Sequence, residues 1–207
     1  MKLFLSSQAI SKEQAPYLVK LVGKPARSIK LALIENAADV EEGPQEWLIR
    51  NRQMIESHGF NVEYIDLRKH TQDLGALHTK LADKDVVWFG GGNTYYLRWL
   101  LRDTGVENII KELVQGGTVY GGGSAGAIVA GPTLHHFETA DDPKVSPGVV
   151  YEGLGLTNKV IVPHIDNEKY AAVIRGIDDK LKADGYETVP LKDAQAFVVD
   201  DGRETIL

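Results

Sequence analysis

The sequence predicts an α/β fold: a doubly wound, mainly parallel sheet with helices on both faces and short antiparallel edge strands near the C-terminus. Three observations carry this. Short apolar runs alternate with segments of helical spacing along all 207 residues, the pattern of consecutive βαβ units. Runs such as Lys30-Leu-Ala-Leu-Ile34 and Asp85-Val-Val-Trp-Phe89 are almost continuously apolar, as strands covered on both faces must be. Two of the runs break into glycine-rich turns that lead straight into helices, the place where such folds bind ligands.

Taken in order, Leu3-Phe4-Leu5 is the first expected strand and Lys30–Ile34 the second. A helix is expected from Pro44 to His58, with Trp47, Leu48, Met54 and Ile55 on its apolar side, Pro44 in its first turn and Gly59 as its stop signal. Val62–Ile65 reads as a strand, Leu74–Leu81 as a short helix and Asp85–Phe89 as a buried strand. Helices follow over Tyr95–Arg102 and Glu107–Gln115, then the strand Thr118-Val119-Tyr120. After a turn-rich stretch over 131–158 come the strand Lys159–Val162 and a helix from Glu168 to Ala183. Short strands near Glu187–Leu191, Ala196–Val199 and Glu204–Leu207 close the chain. With no repeat or linker, one α/β domain over 1–207 is expected.

Composition narrows the function. An apolar fraction of 43% and a charged fraction of 25% are those of a globular protein. The net charge of −6, without a basic cluster, argues against nucleic acid as a partner. The lack of cysteine removes disulfides, thiolate nucleophiles and cysteine metal sites together. The apolar run at the N-terminus is too short for a signal peptide and no segment suits a membrane span, so a cytoplasmic enzyme is expected.

The most informative stretch is 115–131. There Gly122-x-Ser124-x-Gly126 matches a nucleophile elbow, a serine on a sharp strand-to-helix turn with its hydroxyl exposed above the sheet. The glycines suit a turn too tight for side chains on either side of the serine. Gly121-x-Gly123-x-x-Gly126 also fits a dinucleotide fingerprint, but the residues that follow do not form the helix and second strand it requires. A further reading takes the glycines as close-packing residues and Ser124 as incidental. The elbow reading makes the chain a serine hydrolase.

Gly90-Gly-Gly-Asn-Thr94 also follows an apolar strand and precedes a helix, so in a parallel sheet both loops emerge at one edge. An oxyanion hole needs two convergent N–H donors. The candidates are Ala125 together with Gly91 or Gly92, while Asn93 or Thr94 is a candidate helix cap.

Serine needs a base. Of the six histidines, His58 suits a helix end, His70 and His78 look solvated, and His135 and His136 are candidates to line the pocket. His164 follows Val160-Ile-Val162-Pro163 and so stands past the carboxyl end of a predicted buried strand, which makes it the preferred base. Asp193 and Asp166 are nearly equal candidates to orient it, ahead of Asp142, Asp200 and Glu138.

The combination of Phe89-Gly-Gly-Gly-Asn-Thr94, the motif around Ser124, Pro132-Thr-Leu134 with Asp141-Asp-Pro143, and Pro163-His164 resembles the peptidase E family, the α-aspartyl dipeptidases related to cyanophycinases. The resemblance implies a fold like the class I glutamine amidotransferases, with serine in place of cysteine as nucleophile. It implies a Ser–His–acid triad and cleavage of dipeptides after an N-terminal aspartate. By motif, Ser124 becomes the nucleophile, His164 the base and Asp193 the acid, at a position where the family more often carries glutamate. An aspartyl side chain needs a cation, for which Arg175 is the candidate, and a free N-terminus needs a carboxylate, for which Asp142 is the candidate; Asn93 is a further substrate contact. The expected partner is a small peptide, with no metal or organic cofactor and with homodimerisation left open. An α/β-hydrolase esterase and a non-catalytic small-molecule binder using the same pocket are the other readings.

Overall fold

Alternation along the strands divides the core in two. The computed structural model describes residues 1–207. Along the chain lie β1 (Lys2–Ser6), α1 (Ala15–Val22), β2 (Lys30–Ile34), α2 (Glu46–Ser57), β3 (Asn61–Tyr64) and α3 (Leu74–Ala82). They are followed by β4 (Val86–Phe89), α4 (Thr94–Asp103), α5 (Val106–Gln115), β5 (Val119–Gly123) and α6 (Ala125–Ile128). The chain ends with β6 (Val160–Val162), α7 (Ala171–Ala183), β7 (Thr188–Pro190), β8 (Ala196–Asp200) and β9 (Arg203–Ile206). Leu3 and Leu5 of β1 join Val87 and Phe89 of β4 on one face, which packs against α3 to α7. Phe4, Val86 and Trp88 point to the other face, against α1 and Ile55 of α2. This is the period-two geometry of a strand buried on both sides.

Seven strands form the main sheet in the order β3-β2-β4-β5-β1-β8-β9. The first five pair in parallel, whereas β8 and β9 add antiparallel at one edge. The mainly parallel sheet and its antiparallel edge are as expected, and the arrangement agrees with an amidotransferase-like fold. One difference concerns the strand before His164. β6 leaves the main sheet and pairs in parallel with β7 alone, yet it stays buried among the residues on the α7 side. A three-residue run carries no signal for which sheet it joins. Helix α1 is a second difference, unforeseen although Pro16 near its start, Leu18 and Leu21 on its buried side and Gly23 at its left-handed end all mark it. The last long helix also starts later than expected, at Ala171.

The irregular stretch 131–158 is tied to α4. Tyr95 Oη donates to the Leu134 carbonyl at 2.8 Å, Asn93 Nδ2 to the Asp142 carbonyl at 3.0 Å and Arg98 Nε to the Glu152 carbonyl at 2.6 Å. Buried Arg98 also pairs with Glu107 at 2.6 Å, which fixes α4 against α5. No helix is long and apolar enough to cross a membrane.

Two glycine substitutions should have opposite effects. A Cβ at Gly126 would lie 2.2 Å from the Phe89 carbonyl oxygen, whereas one at Gly176, inside α7, meets nothing within 4 Å. Gly126→Ala should destabilise by about 1–3 kcal/mol through overpacking, and Gly176→Ala should stabilise by roughly 0.5–1 kcal/mol through helix propensity. Urea midpoints moving in opposite directions are the expected result.

Candidate active site

β4 and β5 are parallel neighbours with Phe89 opposite Gly122, so the turns that leave them meet. Ser124 follows β5 with φ 51° and ψ −113°, a conformation that side chains rarely adopt and that is found at functional turns. The approach of α6 enforces it, since a Cβ at Gly122 would sit 2.3 Å from the Gly126 carbonyl oxygen. From the neighbouring turn, a Cβ on Gly91 would come within 3.3 Å of Ser124 Cβ. Gly92 is required for another reason: its φ is 131° and its Cβ would strike the Ala37 backbone at 2.3 Å. The N–H groups of Gly91, Gly92 and Ala125 donate to no acceptor within the protein.

The end of β1 brackets the site. Ser124 N–H donates to the Ser6 carbonyl at 3.1 Å. Next in the chain, buried Ser7 accepts the His164 N–H on Oγ at 2.8 Å, while its own N–H reaches the Gln195 carbonyl at 3.0 Å. His164 has φ 65°, and this turn out of β6 aims its ring across the site. Nε2 lies 3.0 Å from Ser124 Oγ and Nδ1 lies 2.6 Å from Asp193 Oδ1. With the proton on Nδ1, the ring donates to the carboxylate and accepts from the hydroxyl, the geometry in which an imidazole can take the serine proton. Burial alone would raise the Asp193 carboxyl, but donors from His164, Asn167 and Gln8 outweigh it and hold the group below the usual carboxylate range.

A cavity of about 710 Å³ opens over these residues. Phe137, Ile128 and Ile174 give it an apolar wall, and Trp47 and Leu48 belong to its lining from α2.

Comparisons with known proteins place the chain in a family. The model of the family described as Peptidase family S51 matches residues 3–207. The chain belongs to that family. An uncharacterised peptidase of Listeria monocytogenes is 29% identical over 177 residues, covering 85% of this chain and 84% of the relative. Peptidase E of a Nostoc species is 31% identical over 67% of this chain and 53% of its own length. A 1.5 Å crystal structure from Listeria monocytogenes EGD-e, described as a candidate peptidase E, superposes with a TM-score of 0.87 at 26% identity, covering all of this chain and 97% of the other. The protein is therefore a hydrolase, a peptidase related to peptidase E.

For this S51 peptidase, the structure places the other expected residues unevenly. Asp166 does not face the imidazole; its Oδ1 accepts the backbone N–H of Asp193 at 2.8 Å. Asn93 lines the cavity, but its amide is committed, with Oδ1 accepting Tyr96 N–H at 2.9 Å and Nδ2 bonded to the Asp142 carbonyl. Asp142 turns its carboxylate to cap the next turn through Lys144 N–H at 2.9 Å. Arg175 is exposed on α7 and takes no part in the cavity, because the helix turns its apolar face, Ile174 and Ile177, inward. His135 stacks on Tyr151 with ring centres 4.4 Å apart and His136 pairs with Asp184 at 2.7 Å, both away from the cavity.

Asp142 still borders the cavity, and further charged residues with no substrate role expected from the sequence line it as well. Asp141 accepts Thr94 N–H at 2.9 Å. Burial raises its carboxyl above the usual range against the pull of Thr94 and His164. Burial also raises Glu41, helped by the nearby charge of Asp141. Arg50 and Arg52 of α2 also line the cavity. Arg52 is taken by Glu35 at 2.5 Å, while exposed Arg50 reaches Glu46 only at 3.6 Å. Nothing local in sequence tells Asp141 from Asp142; the fold decides which one turns inward.

The raised Asp141 carboxyl has a consequence for stability. Its folded value lies above the unfolded one, so its ionisation opposes folding at neutral pH, and the effect vanishes once both states are protonated. Asp141→Asn should therefore raise Tm at pH 7 and give no gain below the ordinary aspartate value of 3.8. An equal gain at both pH values in thermal melts would contradict this.

Proposed function

We propose that the protein is a serine peptidase that cleaves small peptides through an acyl-enzyme, with Ser124 as nucleophile, His164 as base and Asp193 as orienting acid. The observation that carries this reading is the unbroken hydrogen-bonded chain from Ser124 Oγ through both ring nitrogens of His164 to Asp193. As Ser124 Oγ bonds to the scissile carbonyl carbon, His164 Nε2 takes the hydroxyl proton. The negative charge that develops on the carbonyl oxygen is met by the free N–H groups of Ala125 and Gly91, the glycine that adjoins Ser124. The imidazolium then protonates the leaving amine as the C–N bond breaks, and water enters by the same route to release the acid.

The substrate is a short peptide with a free N-terminus. Its ammonium is placed against Asp141, the half-buried carboxylate in the cavity that is not consumed by a cation. This replaces the expected role of Asp142. A preference for N-terminal aspartate rests on Arg50, the cavity guanidinium without a close partner.

Ser124→Ala should lower kcat by about 10³-fold or more and Asp193→Asn by on the order of 10³–10⁴-fold. Intact mass after treatment with a small fluorophosphonate should show one adduct on the wild type and none on Ser124→Ala; a full adduct on that variant would overturn the assignment of the nucleophile. If Arg50 reads an aspartyl side chain, Asp-Ala should exceed Ala-Ala in kcat/KM by about tenfold and lose that advantage in Arg50→Ala. Equal cleavage of both dipeptides by the wild type would remove the aspartyl preference and leave the hydrolytic mechanism standing.

A further inference from the structure

We propose that Asn167 is a positioning residue whose side-chain amide fixes the rotation of the Asp193 carboxylate, so that one oxygen stays on the imidazole; this rests on the triad reading above. An aspartate is one methylene shorter than the glutamate that the peptidase E resemblance leads one to expect, and its terminal torsion has a broad, soft preference. A carboxylate of short reach therefore needs outside constraints to hold the 2.6 Å contact with His164 Nδ1. Apart from Gln8, which also donates to the carboxylate, they come from the turn that carries the base. Asn167 N–H donates to the His164 carbonyl at 3.1 Å, which closes the turn His164-Ile-Asp-Asn167. From that turn Asp166 Oδ1 accepts the Asp193 backbone N–H at 2.8 Å, which sets where the residue starts. Asn167 Nδ2 donates to Asp193 Oδ2 at 2.8 Å, which sets how its carboxylate is rotated.

The orientation of the amide is not arbitrary. Asn167 Oδ1 accepts Lys169 N–H at 3.1 Å, so a flipped amide would set its oxygen against the Asp193 carboxylate and its NH2 against the Lys169 N–H, and lose both bonds. Nδ2 is thereby the end that meets Asp193. Besides Gln8, four groups hold the acid: Asp166 at its backbone, Asn167 on Oδ2, His164 on Oδ1 and the Ile165 N–H, whose bond to the Leu191 carbonyl at 3.1 Å holds the two loops together. Asn167 is three bonds of this network away from the serine oxygen and acts only through Asp193.

The test needs no knowledge of the substrate. The second-order rate of reaction with a small fluorophosphonate is measured against pH for the wild type, Asn167→Ala and Asn167→Asp, with urea midpoints to establish that each is folded. Removal of the donor in Asn167→Ala should slow labelling about tenfold at pH 7, the loss expected of one charge-assisted hydrogen bond. Asn167→Asp keeps the shape but offers an acceptor and a negative charge. It should fall below Asn167→Ala at pH 7 and move the acid limb of the profile to higher pH, because the added charge favours protonated His164. A packing role predicts the reverse order, with Asn167→Asp near the wild type, Asn167→Ala slowest and the limb unmoved. That order, or wild-type rates in Asn167→Ala, would overturn the proposal while leaving the triad intact. A folded wild type that does not label would instead overturn the triad, and the role of Asn167 with it.

Discussion

The site depends on one close approach of backbone to backbone: the turn after β5 lies against the end of β4. Glycine is needed on both sides of Ser124 because a Cβ at Gly122 or Gly126 would overlap main-chain atoms of α6 or β4. The same approach puts Ser124 in its strained conformation and brings the Gly91 turn within van der Waals distance of it. Such strain persists only where the surroundings over-determine it. Here they do, since the Ser124 N–H is also fixed to the end of β1. Parallel pairing of β4, β5 and β1 is thus the constraint from which the placement of Ser124, of the free N–H groups beside it and of the support for His164 all follow.

The base arrives by a less direct route. β6 is not part of the main sheet, and its position is held by burial in the core and by pairing with β7. The strand pair acts as a unit: β6 ends at the turn carrying His164, and β7 leads into the loop carrying Asp193. Because the two strands are in register, base and acid emerge side by side, and Ser7 then joins their unit to the sheet through His164 N–H and Gln195. A pair of three-residue strands would be marginal alone; Ile161 and Val162, fully buried against the core, supply the remaining stabilisation.

Charge at the cavity is arranged against stability. Asp141 and Glu41 are both raised by burial and lie close enough to repel one another. A fold selected for stability alone would place such groups at the surface or give them cations. Arg52, which lines the same cavity, is bound to Glu35, so the carboxylates keep their capacity for an external cation. An uncompensated carboxylate of this kind is a feature of sites tuned for binding rather than for folding.

The sequence by itself determined the layer architecture, the glycine-flanked turn and the residues proposed as nucleophile and base, because each rests on local information. Period-two apolar runs mark the strands, glycine spacing around Ser124 marks the turn, and a histidine just past an apolar run marks a loop at a strand end. It left Asp166 and Asp193 nearly level, and only the peptidase E resemblance favoured the second. The tertiary structure separated them, since register between β6 and β7 turns one toward the imidazole and the other toward a backbone N–H. It also decided which charges line the cavity: the Asp142 carboxylate caps a turn, Arg175 stays outside, and Asp141 and Arg50 are among the lining residues. Which way a polar side chain on a loop or helix faces depends on contacts with residues far away in the chain, such as Asp141 on Thr94, and no local pattern records such contacts.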